Sequence, residues 1–182
     1  QTVSGNPYAV GAPFFQSNLP PFAHLIFAAF AVFPYRMGLL AFLAISSTFM
    51  TLPIVMAFKR SKRYDNLQIA TFICVGVLPT YPVLVTLDRG NIIGIAAGLV
   101  MFSILAIHSE NWYLAATLIA LSSSIKIYPA AFFLIFLAAR KFMPIIWGAF
   151  VAIAVNLTAL ALFNAPLWQS LRAFMLLNWN AV

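Results

Sequence analysis

The sequence predicts an all-α, polytopic membrane protein, and three observations predict it. Hydrophobic residues make up 64% of the 182-residue chain and charged residues only 7%. The mean hydropathy is +1.00. A soluble domain carries about 25% charged residues, so this chain has too little polar surface to cover a globule facing water. Its apolar runs are continuous rather than alternating, which excludes a transmembrane β-barrel.

The elements follow in order. Gln1 to Asn18 is polar and turn-rich, with Asn6-Pro7-Tyr8 and Gly11-Ala12-Pro13. No initiator Met or signal-peptide pattern opens the chain, which reads as a piece of a longer protein. Leu19 to Phe33 is apolar but shorter than the roughly twenty residues a span needs. Pro20-Pro21 open it and Pro34 closes it, so it reads as a juxtamembrane or re-entrant helix. Met37 to Phe58 is long enough to span. Leu67 to Leu87 spans next, with a kink or unwinding expected in the half that holds Pro79 and Pro82.

Ile92 to Ile107 is a short span. Trp112 to Ile125 and Ile127 to Ala139 form two short arms that meet at Lys126, Tyr128 and Pro129. Phe142 to Phe163 is a full span, and Asn164 to Val182 reads as an interfacial or re-entrant segment. The count is about six spans plus juxtamembrane or re-entrant segments, in one membrane domain over 1–182. Within it, 1–36 is an outer-side lead-in, 37–163 the transmembrane part and 164–182 an outer-side interfacial segment.

The net charge of +7 is concentrated. Lys59, Arg60, Lys62 and Arg63 form one basic cluster, and Arg140 and Lys141 a second. Basic clusters beside apolar runs are cytoplasmic under the positive-inside rule. A nucleic-acid patch is the competing reading, and the lack of anything polar and folded around the clusters speaks against it. Four crossings between the clusters keep both on one side. Asp88–Asn91 and Lys126 then fall on the outer side, and His108–Asn111 on the cytoplasmic side. The remaining cations, Arg36, Arg89, Lys126 and Arg172, fall outside and are the candidates for chemistry.

Lys126 is the sharpest of these. Apolar and uncharged sequence flanks it on both sides, and a cation placed there costs about 2.5–3.5 kcal/mol on insertion scales. Three fates are open to it: snorkelling to the outer interface, pairing with Asp88, or holding an anionic ligand group in a membrane-embedded cavity. Tyr128 and Ser122-Ser123-Ser124 offer hydrogen-bonding groups nearby, and Pro129 frees backbone carbonyls. Asp88 and Arg89 form a surface ion pair, or Arg89 faces an anion while Asp88 orients it, or Asp88 binds a sugar hydroxyl or a metal. Asn91 either caps the turn or touches a polar ligand. Gly90, Gly94 and Gly98 recur every four residues and suit tight helix packing. Asp65 and Glu110 read as ordinary surface charges. Cys74 is the single cysteine, so no disulfide forms within the chain. His24 and His108 lie on opposite sides, so no metal site is expected. No phosphate-cradling loop or nucleophile triad is present, and no cofactor is evident.

The ordered motifs Gly5-Asn-Pro-Tyr8, Leu19-Pro-Pro-Phe22, Arg89-Gly-Asn91 and Ala120-Leu-Ser-Ser-Ser-Ile-Lys126-Ile-Tyr-Pro129 resemble those of glycosyltransferase family 87. These are polyprenyl-phosphate-mannose-dependent mannosyltransferases of the GT-C membrane fold. The resemblance implies a polyprenyl-phosphate-linked sugar as donor, with Lys126 and Arg89 on its phosphate and Asp88, Asn91 and Tyr128 as polar contacts. It also implies an integral protein of a bacterial-type plasma membrane, among membrane lipids. The family's catalytic acid lies in the first large outer loop, which here would precede Gln1. No acidic residue occurs before Asp65, and the usual Gln of the Arg89-Gly-Asn91 turn is not matched. Two other readings stay open: a non-catalytic subunit that joins other subunits of a membrane complex, and a transporter of a lipid-linked anion.

Overall fold

A computed structural model describes residues 19–80, 83–84 and 91–163, and among these the chain is helix and turn without a strand. The helices are α1 (Pro21–Ala31), α2 (Tyr35–Ser61), α3 (Asn66–Thr71), α4 (Ile93–His108), α5 (Trp112–Ile125), α6 (Phe133–Ala138) and α7 (Phe142–Leu162). A π-helical stretch, Phe72–Val77, continues α3, and a 3₁₀ turn, Tyr128–Phe132, leads into α6.

Among the described residues two helices qualify as membrane spans by length and composition, α2 and α7, against the count of about six that the apolar runs suggest. Both face outward: only 17% of the apolar window of each is buried. A core helix of a soluble protein would be mostly buried, so large exposed residues such as Leu40, Ile146, Phe150 and Ile153 mark surfaces suited to lipid. The other helices are shorter. At 14 residues, α5 is about 21 Å long, against a hydrocarbon core of about 30 Å.

The α4–α5 hairpin is the centre of the bundle. Helix α2 packs on α4, α7 packs on α5, and α1 touches α2, α5 and α7. The centre is built from small residues: Gly94, Ala96, Gly98 and Ser103 of α4 are buried, as are Ala115, Ala116, Ala120 and Ser122 of α5. Without a hydrophobic drive between helices in lipid, close approach of such residues supplies the packing energy.

The tightest seam joins α2 to α4. Pro53 lies inside α2 and is fully buried. Its missing N–H leaves the Phe49 carbonyl without its intrahelical donor. That carbonyl lies over Gly98, where a Cβ would meet the Phe49 carbonyl oxygen and come within 2.6 Å of its carbon. The glycine spacing read from the sequence is thus a packing feature at Gly98.

Two other joints involve polar groups. The Asn156 amide oxygen in α7 accepts from the Phe22 N–H in the first turn of α1 at 3.3 Å. It supplies a partner for one of the donors that every helix start leaves open. The Trp147 indole of α7 donates to the Thr117 hydroxyl of α5 at 2.9 Å.

The predicted span Leu67–Leu87 does not form as one helix. The α-helix ends at Thr71 and the π-helical stretch at Val77, ahead of Pro79, so the expected unwinding begins upstream of the prolines. A proline ring clashes with the carbonyl four residues earlier, so the disturbance starts upstream. The ladder widens there, with Leu78 N–H reaching the Ile73 carbonyl at 2.9 Å.

Replacing Gly98 with Ala should lower thermal stability in detergent by roughly 1–3 kcal/mol through overpacking. Gly76→Ala, where the nearest atom is 3.5 Å from the new Cβ, should leave the melting temperature level or raised. Equal melting of wild type and Gly98→Ala would contradict the seam.

Candidate functional site

Lys126 stands where α5 stops. Its backbone is extended (φ −142°, ψ 138°), while its N–H still bonds the Ser122 carbonyl at 3.0 Å. The chain then turns through Ile127 and the 3₁₀ turn, and α6 returns toward the start of α5, where Phe136 meets Trp112 edge-on at 5.6 Å. The two arms and their break at Lys126 therefore form as the sequence predicts. Lys126 is half-buried, Ile127 and Tyr128 are exposed, and Pro129 is buried. Lys126 is the C-cap residue of α5, at the negative end of the helix, where the last carbonyls lack intrahelical donors.

The serines beside it have structural duties. Ser122 donates to the Ala96 carbonyl of α4 at 2.8 Å. Ser123 and Ser124 donate to carbonyls one turn back, Ile119 at 2.7 Å and Ala120 at 2.9 Å. Their protons are used within the bundle. Short hydroxyl side chains within helices bond the preceding turn when no closer acceptor exists.

Asn91 lies at the same end, where Ile92 and Ile125 share one hydrophobic cluster. Its amide oxygen accepts from the Ile93 N–H two residues on at 3.1 Å, which holds the turn ahead of α4, whose N-cap residue is Ile92. Arg36, at the start of α2, is exposed. Asp88, Arg89 and Arg172 lie outside the described residues.

The opposite end gathers both basic clusters. The Arg60 guanidinium donates to the Leu105 carbonyl at 3.1 Å and to the Ser109 hydroxyl at 3.0 Å, which anchors it to the last turn of α4. The Lys141 ammonium lies over the Trp112 ring, 5.5 Å from its centroid. The turn at 108–112 and both clusters thus share one end of the bundle, and Lys126 lies at the other.

Three contacts escaped the sequence reading. Asp65 and Gln68 form a reciprocal capping box, with the Gln68 N–H on the Asp65 carboxylate at 2.8 Å and the Asp65 N–H on the Gln68 amide oxygen at 3.1 Å. The spacing Asp-x-x-Gln carries that signal. Asn111 caps α5 through the Leu114 N–H at 3.2 Å. Asn156 is a lone amide in an apolar run, which marks it as a polar joint.

These features define a helical membrane protein with a cationic helix break at one end and basic clusters at the other. The sequence matches the model of glycosyltransferase family 87 over residues 19–181. The chain belongs to that family, a family of membrane glycosyltransferases. No curated protein and no solved structure matches the chain.

Ser122→Ala should destabilise the bundle by about 0.6 kcal/mol and at most about 1.7, the range for interhelical side-chain bonds in membranes. Ser123→Ala, which removes only a bond within its own helix, should be neutral. Detergent-solubilised melting curves check this, and equal effects at the two positions would contradict the assignment.

Proposed function

We propose that this chain binds the polyprenyl-phosphate donor of a sugar transfer, with a mannose-like sugar, on the outer face of the membrane. The carrying observation is the family match over residues 19–181, taken with the half-buried lysine at the helix break. Lys126 holds the donor phosphate, with Arg89 as a second cation. Asp88, Asn91 and Tyr128 are candidate polar contacts, Asn91 through the amide hydrogens that its bond to Ile93 N–H leaves unused.

The chemistry follows from the charges. A carboxylate takes the proton of the acceptor hydroxyl as general base. The acceptor oxygen forms a bond to the anomeric carbon, and the bond from that carbon to the phosphate oxygen breaks. The lipid phosphate leaves with one more negative charge. A fixed cation in a site poor in water stabilises that developing charge. Lys126 fits this role because the break holds it at the bundle end while Ile125 and Pro129 beside it are buried. The family resemblance assigns the base to a loop that precedes Gln1.

A second reading has its own support. The described acids, Asp65 and Glu110, are both away from Lys126: Asp65 caps α3 after the first basic cluster, and Glu110 lies in the turn before Trp112. With neither described acid near its cation, the chain also suits a non-catalytic subunit of a larger membrane complex.

Transfer from a polyprenyl-phosphate sugar, assayed in membranes with the full-length protein, distinguishes the two. Lys126→Ala should lower turnover about 10²–10³-fold, the scale for loss of one preorganised charge-stabilising group, with the melting temperature unchanged. Wild-type turnover in that variant rejects the phosphate role. A wild-type protein with no transfer supports the subunit reading.

A further inference from the structure

The basic end carries a groove of about 540 Å³ between two helix corners. One corner joins α4 to α5 and the other joins α6 to α7. Each contains a non-glycine residue in the left-handed region, Glu110 at φ 57° and Arg140 at φ 55°. Each is closed by a hydrogen bond that spans five residues: Asn111 N–H to the Ala106 carbonyl at 2.9 Å, and Lys141 N–H to the Phe136 carbonyl at 2.8 Å. These are the hydrogen bonds of a Schellman ending, usually built with glycine because side chains resist this backbone. Here the sequence places charged residues at both corners instead, and both face the same groove.

We propose that this groove binds the headgroup of an anionic glycerophospholipid. Arg140 and Lys141 line it, and Lys141 is held against its wall by the Trp112 ring. The N-cap position of α7 is Lys141 itself, so the first turn of that helix has no side-chain cap. Phe142 and Met143 follow the cations and are exposed, a place for acyl chains beside the headgroup. Trp112 and Tyr113 are the residue types that settle at the membrane–water interface. The other cluster, Lys59 to Arg63, is tied to the same end through Arg60, so the whole face is positive. Asp65 is engaged as a helix cap. Glu110 is the one carboxylate lining the groove, and it opposes an anion there.

The occupant follows from charge complementarity and from depth. A positive groove at an aromatic interface, with apolar side chains next to it, meets a lipid phosphate rather than a soluble one. Each interfacial cation attracts anionic lipid by about a factor of five. This site lies at the opposite end from Lys126 and is independent of the donor reading.

The test is a titration of the purified full chain in detergent with short-chain phosphatidylglycerol, compared with phosphatidylcholine. Wild type should prefer phosphatidylglycerol. The pair Arg140→Asn and Lys141→Gln should weaken phosphatidylglycerol binding about 25-fold, two cations at about fivefold each; asparagine tolerates the left-handed backbone. Glu110→Gln should tighten it several-fold. The pair Lys59→Gln and Lys62→Gln, outside the groove lining, should change it less than threefold. Wild-type binding by the groove pair overturns the proposal. So does an equal loss from the two pairs, which would mean diffuse attraction to a basic surface. If the groove pair melts early, the Glu110→Gln variant decides: unchanged affinity there also overturns the proposal.

Discussion

The contact of the Phe49 carbonyl with Gly98 holds the bundle in register. Pro53 removes the hydrogen-bond donor that would engage this carbonyl within α2, and only glycine at position 98 leaves room for it. The result is a backbone-to-backbone approach between α2 and α4, of the kind small residues permit in membranes. From that seam the rest is placed in sequence. Helix α4 accepts the Ser122 hydrogen bond of α5 at Ala96. Helix α5 then packs α7, and α7 holds the start of α1 through Asn156. The end of α5, and with it Lys126, is fixed one turn from the Ser122 bond.

The same packing separates the charges. Arg60 reaches the last turn of α4, and Lys141 reaches the first residue of α5. Both basic clusters therefore meet the α4–α5 corner, while Lys126 lies at the other end of α5. A polar group at a helix end is cheaper than one at mid-helix, because the end carbonyls lack donors and attract a cation. That accounts for a lysine in so apolar a run without invoking a ligand. It also leaves Lys126 half-buried and next to an exposed Ile127 and Tyr128, the position from which a lipid phosphate can be met.

Much of this was legible in the residues. The hydropathy and the missing charge gave the helical membrane class. Trp112 and the break at Lys126 gave the limits of α5, because helix breaking is local. The Gly94–Gly98 spacing gave a packing face for the same reason. The span count was not legible, because apolar composition shows what lipid tolerates and not where a helix ends. The effect of Pro79 reached upstream, since its ring acts on the preceding turn. The Asn156–Phe22 bond joins residues 134 apart, and the use of Ser122 depends on how closely α4 approaches. Neither partner is encoded locally. The candidate site was half legible: the cation and its break were visible, but the commitment of the serine hydroxyls was not.

The central claim is that Lys126 and the basic clusters face opposite sides of the membrane. It is tested most directly by labelling single cysteines in intact cells with a membrane-impermeant maleimide. The sole native cysteine, Cys74, is exposed and is replaced by Ser. Cysteine is then placed at Ile127 in one protein and at Lys62 in another. The account predicts labelling at position 127 from outside, and labelling at position 62 only after permeabilisation. Labelling of both positions from one side would contradict it.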